Sequence, residues 1–65
     1  MTLTINGESR EAAARTLARL LEALELDDAV VATAVNGRFV RAADREKTAL
    51  RDGDAVEILA PMQGG

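Results

Sequence analysis

The chain has 65 residues and a net charge of -3, and it contains no cysteine, histidine, tryptophan or tyrosine. That length allows one domain with a thin core, since a chain this short buries only roughly 60% of the surface its unfolded form exposes, which leaves no room for a deep substrate cavity. The missing residue types exclude disulfides, the usual zinc ligands and most nucleophile–base pairs, so the fold must hold by apolar packing alone.

Acidic and basic residues are mixed along the chain, with no basic stripe, and Phe39 is its one aromatic. Nucleic acid is therefore not an expected partner, because both the electrostatic footprint and the stacking platform are lacking. Thr2 to Ile5 is too short an apolar stretch before Glu8 to act as a signal peptide. No apolar run is long enough to span a bilayer. The expectation is a cytoplasmic protein without a membrane partner. Ser9 is the only serine and has no base to activate it. Asp27-Asp28 and Asp52 with Asp54 are paired carboxylates, but so thin a domain cannot desolvate them for acid–base work. The chain is expected to be a substrate or partner of enzymes rather than an enzyme.

In chain order, Thr2-Leu3-Thr4-Ile5-Asn6 alternates polar and apolar side chains, the period of a strand with one buried face. Asn6-Gly7 predicts a tight hairpin turn, since both residues tolerate positive φ. Glu8 to Glu11 then returns as a short polar strand at an edge, where its charges oppose edge-to-edge pairing. Leu17, Leu20, Leu21 and Leu24 fall at i, i+3, i+4 and i+7, which places them on the core face of a helix that Thr16 caps. Arg19, Glu22 and Glu25 occupy its outer face, and Asp27-Asp28 is expected to break it. Ala29 to Val35, rich in valine, predicts a buried strand; either Val31 or Ala32 can be its inward residue. Asn36-Gly37 predicts a second hairpin turn, read as turn chemistry only, with Arg38-Phe39-Val40 as the return strand. Ala42 to Ala49 lacks an amphipathic period and predicts a loop or short helical turn, anchored by Leu50. Asp52-Gly53-Asp54 predicts a tight turn, with too few carboxylates for a calcium loop. Ala55 to Ala60 predicts the last strand, with Val56 and Ile58 inward and Leu59 outward beside Glu57. Pro61 ends the pairing, so residues 1–60 form the folded domain and residues 61–65 a flexible tail.

Two hairpins, one helix and a final strand read as an α+β protein. The succession Val35-Asn36-Gly37, Val40, Leu50, Asp52-Gly53-Asp54, Val56-Glu57-Ile58 and Pro61-Met62-Gln63-Gly64-Gly65 resembles the bacterial ThiS family, the sulfur carriers for the thiazole half of thiamine. Thr16-Leu17 with Leu20-Leu21 is similar to that family's helix start. The resemblance spans essentially the whole chain. It is most specific in the combination of Asp-Gly-Asp, a strand and a Gly-Gly end. It implies a β-grasp, or ubiquitin-like, fold: a mixed sheet packed on one main helix. Many family members carry Pro-Arg and an aromatic where this chain has Arg41-Ala42-Ala43-Asp44-Arg45, so no role is carried over to residues 41–47.

The resemblance implies that an adenylating enzyme of the ubiquitin-activating kind (ThiF type) uses ATP to adenylate the carboxylate of Gly65. A sulfur donor such as a cysteine desulfurase then displaces AMP to leave a thiocarboxylate, and a thiazole synthase (ThiG type) takes the sulfur. The carrier itself binds no cofactor and no metal. A free α-carboxylate, with a pKa of about 3.3–3.7, is ionised at neutral pH and a poor electrophile, so activation is chemically required. Met62, Gln63 and Gly64 are the tail that enters the partner's active site, and the missing Cβ atoms of the glycines suit a narrow channel. Leu59, Met62 and the outward sheet face are the docking candidates, methionine being adaptable at partner surfaces. Three other readings stay open on the sequence. They are a sulfur carrier of the molybdopterin-synthase small-subunit type, a ubiquitin-like protein modifier that forms isopeptide bonds, and a non-covalent β-grasp binding module.

Overall fold

A computed structural model describes residues 1–60. Its elements are strands β1 (Thr2–Ile5) and β2 (Glu8–Glu11), helix α1 (Leu17–Ala23), strands β3 (Ala32–Val35) and β4 (Arg38–Val40), a 3-10 helix over Ala42–Lys47, and strand β5 (Ala55–Leu59). The strands form one mixed sheet in the order β2-β1-β5-β3-β4. β5 therefore lies in the middle, parallel to β1 and antiparallel to β3. This is the α+β, β-grasp arrangement expected from the sequence.

Both hairpins close where two consecutive residues take positive φ. Asn6 and Gly7 have φ of 50° and 85°, and Asn36 and Gly37 have 50° and 83°, the combination a two-residue turn needs to match strand twist. β2 is exposed along its whole length at the sheet edge, as its charges predict. On the inner face, Leu3, Ile5, Val56 and Ile58 meet Leu17, Leu20 and Leu21 of α1, and Leu50 completes the buried cluster. Each leucine buried in this way contributes about 1.5–3 kcal/mol relative to exposure, so the three on α1 are the main reason so short a helix is stable. The Thr16 hydroxyl caps α1 by accepting from the Arg19 N–H at 3.2 Å. Backbone bonds from Leu17 N–H to the Thr48 carbonyl and from Leu50 N–H to the Arg15 carbonyl, both 2.9 Å, tie the helix start to the loop before β5.

Two expectations need correction. The helix does not run on to Asp27-Asp28. It ends at Ala23, with Glu25 in the left-handed region at φ 60°. The Glu25 N–H donates to the Glu22 carbonyl at 3.0 Å and the Leu26 N–H to the Leu21 carbonyl at 2.8 Å. These are the two bonds of a Schellman cap, here with glutamate where glycine is usual. Leu26 packs against the core, and that contact holds the cap in place. The third strand, in turn, begins at Ala32 rather than Ala29, and it is not buried throughout. Val31 packs partly on the core, Ala32 is exposed, and Thr33 is the inward residue at 1% exposure. Its hydroxyl donates to the Val40 carbonyl at 2.7 Å and accepts from Arg45 Nε at 3.1 Å, which is how a polar group is satisfied at that depth.

Residues 42–47, where the family pattern fails, form the 3-10 helix, and Arg45 locks it onto β3. Besides its bond to Thr33, Arg45 donates through Nη2 to the Val31 carbonyl at 2.6 Å. Arg41 pairs with Asp44 at 3.2 Å on the surface.

Candidate functional site

The end of β5 is the structural centre of the site, because the central strand of the sheet leads directly into residues 61–65. Inward Val56 and Ile58 are buried while Ala55, Glu57 and Leu59 face out. Alternation thus sets Leu59 on the uncovered outer face, as predicted, and it is 60% exposed. Met62, Gln63, Gly64 and Gly65, the remaining predicted site residues, lie outside the described residues.

Leu59 is not alone on that face. It pairs across the ladder with Ala32, while Glu57 pairs with Ala34 and Ala34 with Phe39. Phe39 is 70% exposed. Val30 and Val31 adjoin the Ala32–Leu59 pair, and with Ala60 they line a shallow groove at the end of β5. Val30, at 80% exposure, is the most exposed large apolar side chain among the described residues. Val30, Ala32, Leu59, Ala34 and Phe39 thus give the outer face beside the end of β5 an apolar character, interrupted by Glu57. Sequence reasoning named Leu59 and the outward sheet face, but not Ala32, Ala34, Phe39 and Val30 as residues on or beside it. The strand periods carried the signal, but only once Thr33 is known to face inward do the two alanines fall outside.

The strand end is also held by a side chain of the first hairpin turn. The Asn6 amide bonds both backbone groups of Ile58, with Ile58 N–H donating to Oδ1 at 2.8 Å and Nδ2 donating to the Ile58 carbonyl at 3.0 Å. Asn36 does the same kind of work at the strand's start, correcting its turn-only reading. Its Oδ1 accepts from the Ala55 N–H at 2.9 Å, and its Nδ2 donates to the Asp54 carboxylate at 3.0 Å.

The paired carboxylates serve local structure. Asp52 accepts from the Thr2 N–H at 2.6 Å, and Asp54 accepts from the Arg51 N–H at 2.8 Å. The hydrogen bond from Asn36 is the main cause holding the Asp54 carboxyl below the usual carboxylate range, with the Arg51 N–H and the Arg51 charge adding to it and partial burial opposing it. Asp27 and Asp28 are exposed. Among the described residues no three metal-binding side chains converge, and no helix is long and apolar enough to cross a membrane. What the described residues offer is a strand end tied by side-chain hydrogen bonds and a partly apolar face beside it.

Relatives are similar over the same span. The model of the ThiS family matches residues 3–65. The sulfur carrier protein ThiS of Thermus thermophilus is 38% identical over 61 residues, covering 94% of this chain and 95% of that protein. A crystal structure of the thiamine biosynthesis protein ThiS from Geobacter metallireducens superposes with a TM-score of 0.83 at 36% identity, covering 100% of both chains. A solution structure of a thiamine biosynthesis protein from the same organism gives a TM-score of 0.79 at 36% identity, covering 100% of this chain and 88% of that one.

Proposed function

The chain belongs to the ThiS family, and we propose that it carries sulfur as a thiocarboxylate on Gly65 and delivers it for synthesis of the thiazole ring of thiamine. The observation that carries this reading is the family match running through the Gly64-Gly65 pair. It is supported by a fold in which β5, the central strand of the sheet, ends at Leu59, a few residues before that pair in the sequence.

The chemistry divides between carrier and partners. A carboxylate oxygen of Gly65 attacks the α-phosphorus of ATP in an adenylating enzyme of ThiF type, forming the acyl adenylate and releasing pyrophosphate. A persulfide from a donor such as a cysteine desulfurase attacks the carbonyl carbon and expels AMP. A thiol then cleaves the acyl disulfide to leave the thiocarboxylate. Transfer of that sulfur to a thiazole synthase of ThiG type regenerates the carboxylate. Charge stabilisation at the reacting carbonyl belongs to the partner's active site. The carrier supplies reach, a thin tail and a place to dock. Dependence on ATP favours the cytoplasm as its compartment.

Reach limits where docking occurs. The five residues 61–65 span at most roughly 17 Å when fully extended. The partner surface must therefore engage the body close to Leu59. Fixing five backbone residues costs about 5–10 kcal/mol at about 1–2 kcal/mol each. Burying Leu59 and Phe39 on the partner contributes about 1.5–3 kcal/mol apiece, a substantial part of that cost. Backbone hydrogen bonds to Gln63, Gly64 and Gly65 and packing of Met62 supply the remainder.

The test is the intact mass after incubation with ATP, a ThiF-type enzyme, a persulfide donor and a thiol. Replacement of one oxygen by sulfur, lost on deletion of Gly65, is the expected result. A ladder of conjugates in lysate would identify a protein modifier instead. An unchanged mass with a demonstrably active partner enzyme would identify a non-covalent binding module.

A further inference from the structure

β1 is too short for the strand it supports. Its ladder with β5 covers Thr4 opposite Ala55 and Ile5 opposite Val56. The Asn6 N–H makes one more backbone bond, to the Val56 carbonyl at 2.9 Å, and the chain then turns away at Gly7. Ile58, two residues further along β5, would be left without a partner on that side. Instead the Asn6 side chain takes the place of a further strand residue, accepting from the Ile58 N–H at 2.8 Å and donating to its carbonyl at 3.0 Å. On the other side β5 is still paired, Ala32 standing opposite Leu59.

Turn geometry alone does not call for this residue. The position needs positive φ, which glycine adopts at least as readily as asparagine. What asparagine adds is an amide whose donor and acceptor both fall on Ile58, across a sequence separation of 52 residues. We propose that Asn6 is a positioning residue of the carrier: its amide fixes the point and direction at which β5 hands residues 59–65 to a partner's active site. The inference deepens the carrier reading and rests on it for its kinetic consequence. If the clamp is lost, β5 beyond Glu57 is held by β3 alone, its end loosens, and backbone freedom equivalent to about one residue must be ordered whenever the tail enters the partner. Affinity for the partner falls while the chemistry at Gly65, once docked, is unchanged.

Asn36 provides an internal control, since its side chain makes two comparable bonds at the opposite end of β5, far along the strand from the tail. Asn6→Gly and Asn36→Gly both preserve a turn residue that tolerates positive φ, and both remove an amide. The experiment measures ATP-dependent pyrophosphate release by a ThiF-type enzyme at increasing carrier concentration, with amide hydrogen exchange followed in the same variants. Asn6→Gly is expected to raise the KM for the carrier roughly five- to thirty-fold, the factor that accompanies freeing one backbone residue. Its kcat stays at the wild-type value, and exchange accelerates at Ile58. Asn36→Gly is expected to leave KM at the wild-type value and to accelerate exchange at Ala55 instead. Asn6→Asp keeps the acceptor for the Ile58 N–H but not the donor, and its KM should fall between wild type and Asn6→Gly. This milder variant also answers the question should Asn6→Gly fold poorly.

An unchanged KM in Asn6→Gly, or an equal rise in Asn36→Gly, would overturn the proposal. If the wild-type chain is not adenylated at all, the carrier reading fails, and exchange at Ile58 still decides the clamp. Unchanged protection there in Asn6→Gly would remove it.

Discussion

The Asn36 side-chain nitrogen donates to the Asp54 carboxylate across 3.0 Å, joining the second hairpin turn to the turn that launches β5 although 18 residues separate them. The two Asn-Gly turns thus lie against opposite ends of the same central strand. Asn36 holds its entry and Asn6 its exit, each through a side-chain amide. A strand tied at both ends by groups outside its neighbouring strands is well suited to transmit a fixed direction to whatever follows it.

An acid dependence follows from the Asn36–Asp54 bond. Because the folded-state pKa of Asp54 lies below its unfolded value, the unfolded chain binds more protons in the acid range. The contribution is fully present above the unfolded value of about 3.9 and is lost as pH falls through the lower folded value. Asn36→Gly should return the Asp54 carboxyl toward the ordinary range and flatten the acid limb of the stability profile. An NMR titration of the Asp54 side chain, together with urea midpoints at neutral and acid pH, checks this. An Asp54 titration curve that does not move in Asn36→Gly would show that another group depresses it.

Thr33 is the one buried polar side chain of the core region among the described residues. Thr33→Val keeps the shape but removes the hydroxyl that donates to the Val40 carbonyl and accepts from Arg45 Nε, leaving Arg45 Nε without that acceptor. The expected loss is about 1–3 kcal/mol, the cost of leaving a buried partner unsatisfied. Urea unfolding should show a lower midpoint with an unchanged m-value. A midpoint equal to wild type would mean that water replaces the hydroxyl.

Glu25 holds a left-handed conformation that costs a residue with a Cβ about 1–2 kcal/mol. Glycine removes that cost and gives back part of the gain through its larger unfolded-state entropy. Glu25→Gly is therefore expected to stabilise the fold by about 0.5–1 kcal/mol, a rise of about 2–8 °C in Tm for a domain of this size. Thermal unfolding followed by circular dichroism reads it directly. A lower Tm would mean that the glutamate side chain makes a compensating contact.

Leu59→Asp and Phe39→Asp alter exposed side chains, so folding should be nearly unaffected. On the proposed docking face each loses about 1.5–3 kcal/mol of burial, which corresponds to about 10- to 100-fold weaker association with the adenylating enzyme. Calorimetric titration against a ThiF-type enzyme measures the effect. Wild-type affinity in both variants would place docking on another surface.

Periodicity by itself determined much of this protein. The alternation of Leu3 and Ile5, the leucine stripe of Leu17, Leu20 and Leu21, the two Asn-Gly turns and the inward Val56 and Ile58 all rest on contacts or conformations set within a few residues, and each stands where the sequence predicts; Leu24, predicted on the same helical face, instead caps the helix and is only partly buried. Leu59 was legible for the same reason: a strand with two known inward residues has a known outward one. Resemblance across the chain, rather than any local pattern, carried the family and pointed to Gly65.

Tertiary structure decided what depends on distant partners. The helix ends at Ala23 because Leu26 folds back onto the core and draws Glu25 into the left-handed region, an outcome that no propensity of Asp27-Asp28 encodes. Thr33 faces inward because Val40 and Arg45 are there to bond its hydroxyl; small apolar neighbours on either side made the strand's register ambiguous on its own. The same holds for Phe39, which joins the outer face beside Leu59 only through its pairing with Ala34. Asn6 and Asn36 show the limit most plainly. Positive φ is a local property, and the sequence expresses it, but the use of their amides requires β5 to arrive between β1 and β3. That placement is a property of the assembled sheet, because hydrogen bonds across it join residues that the chain itself keeps far apart.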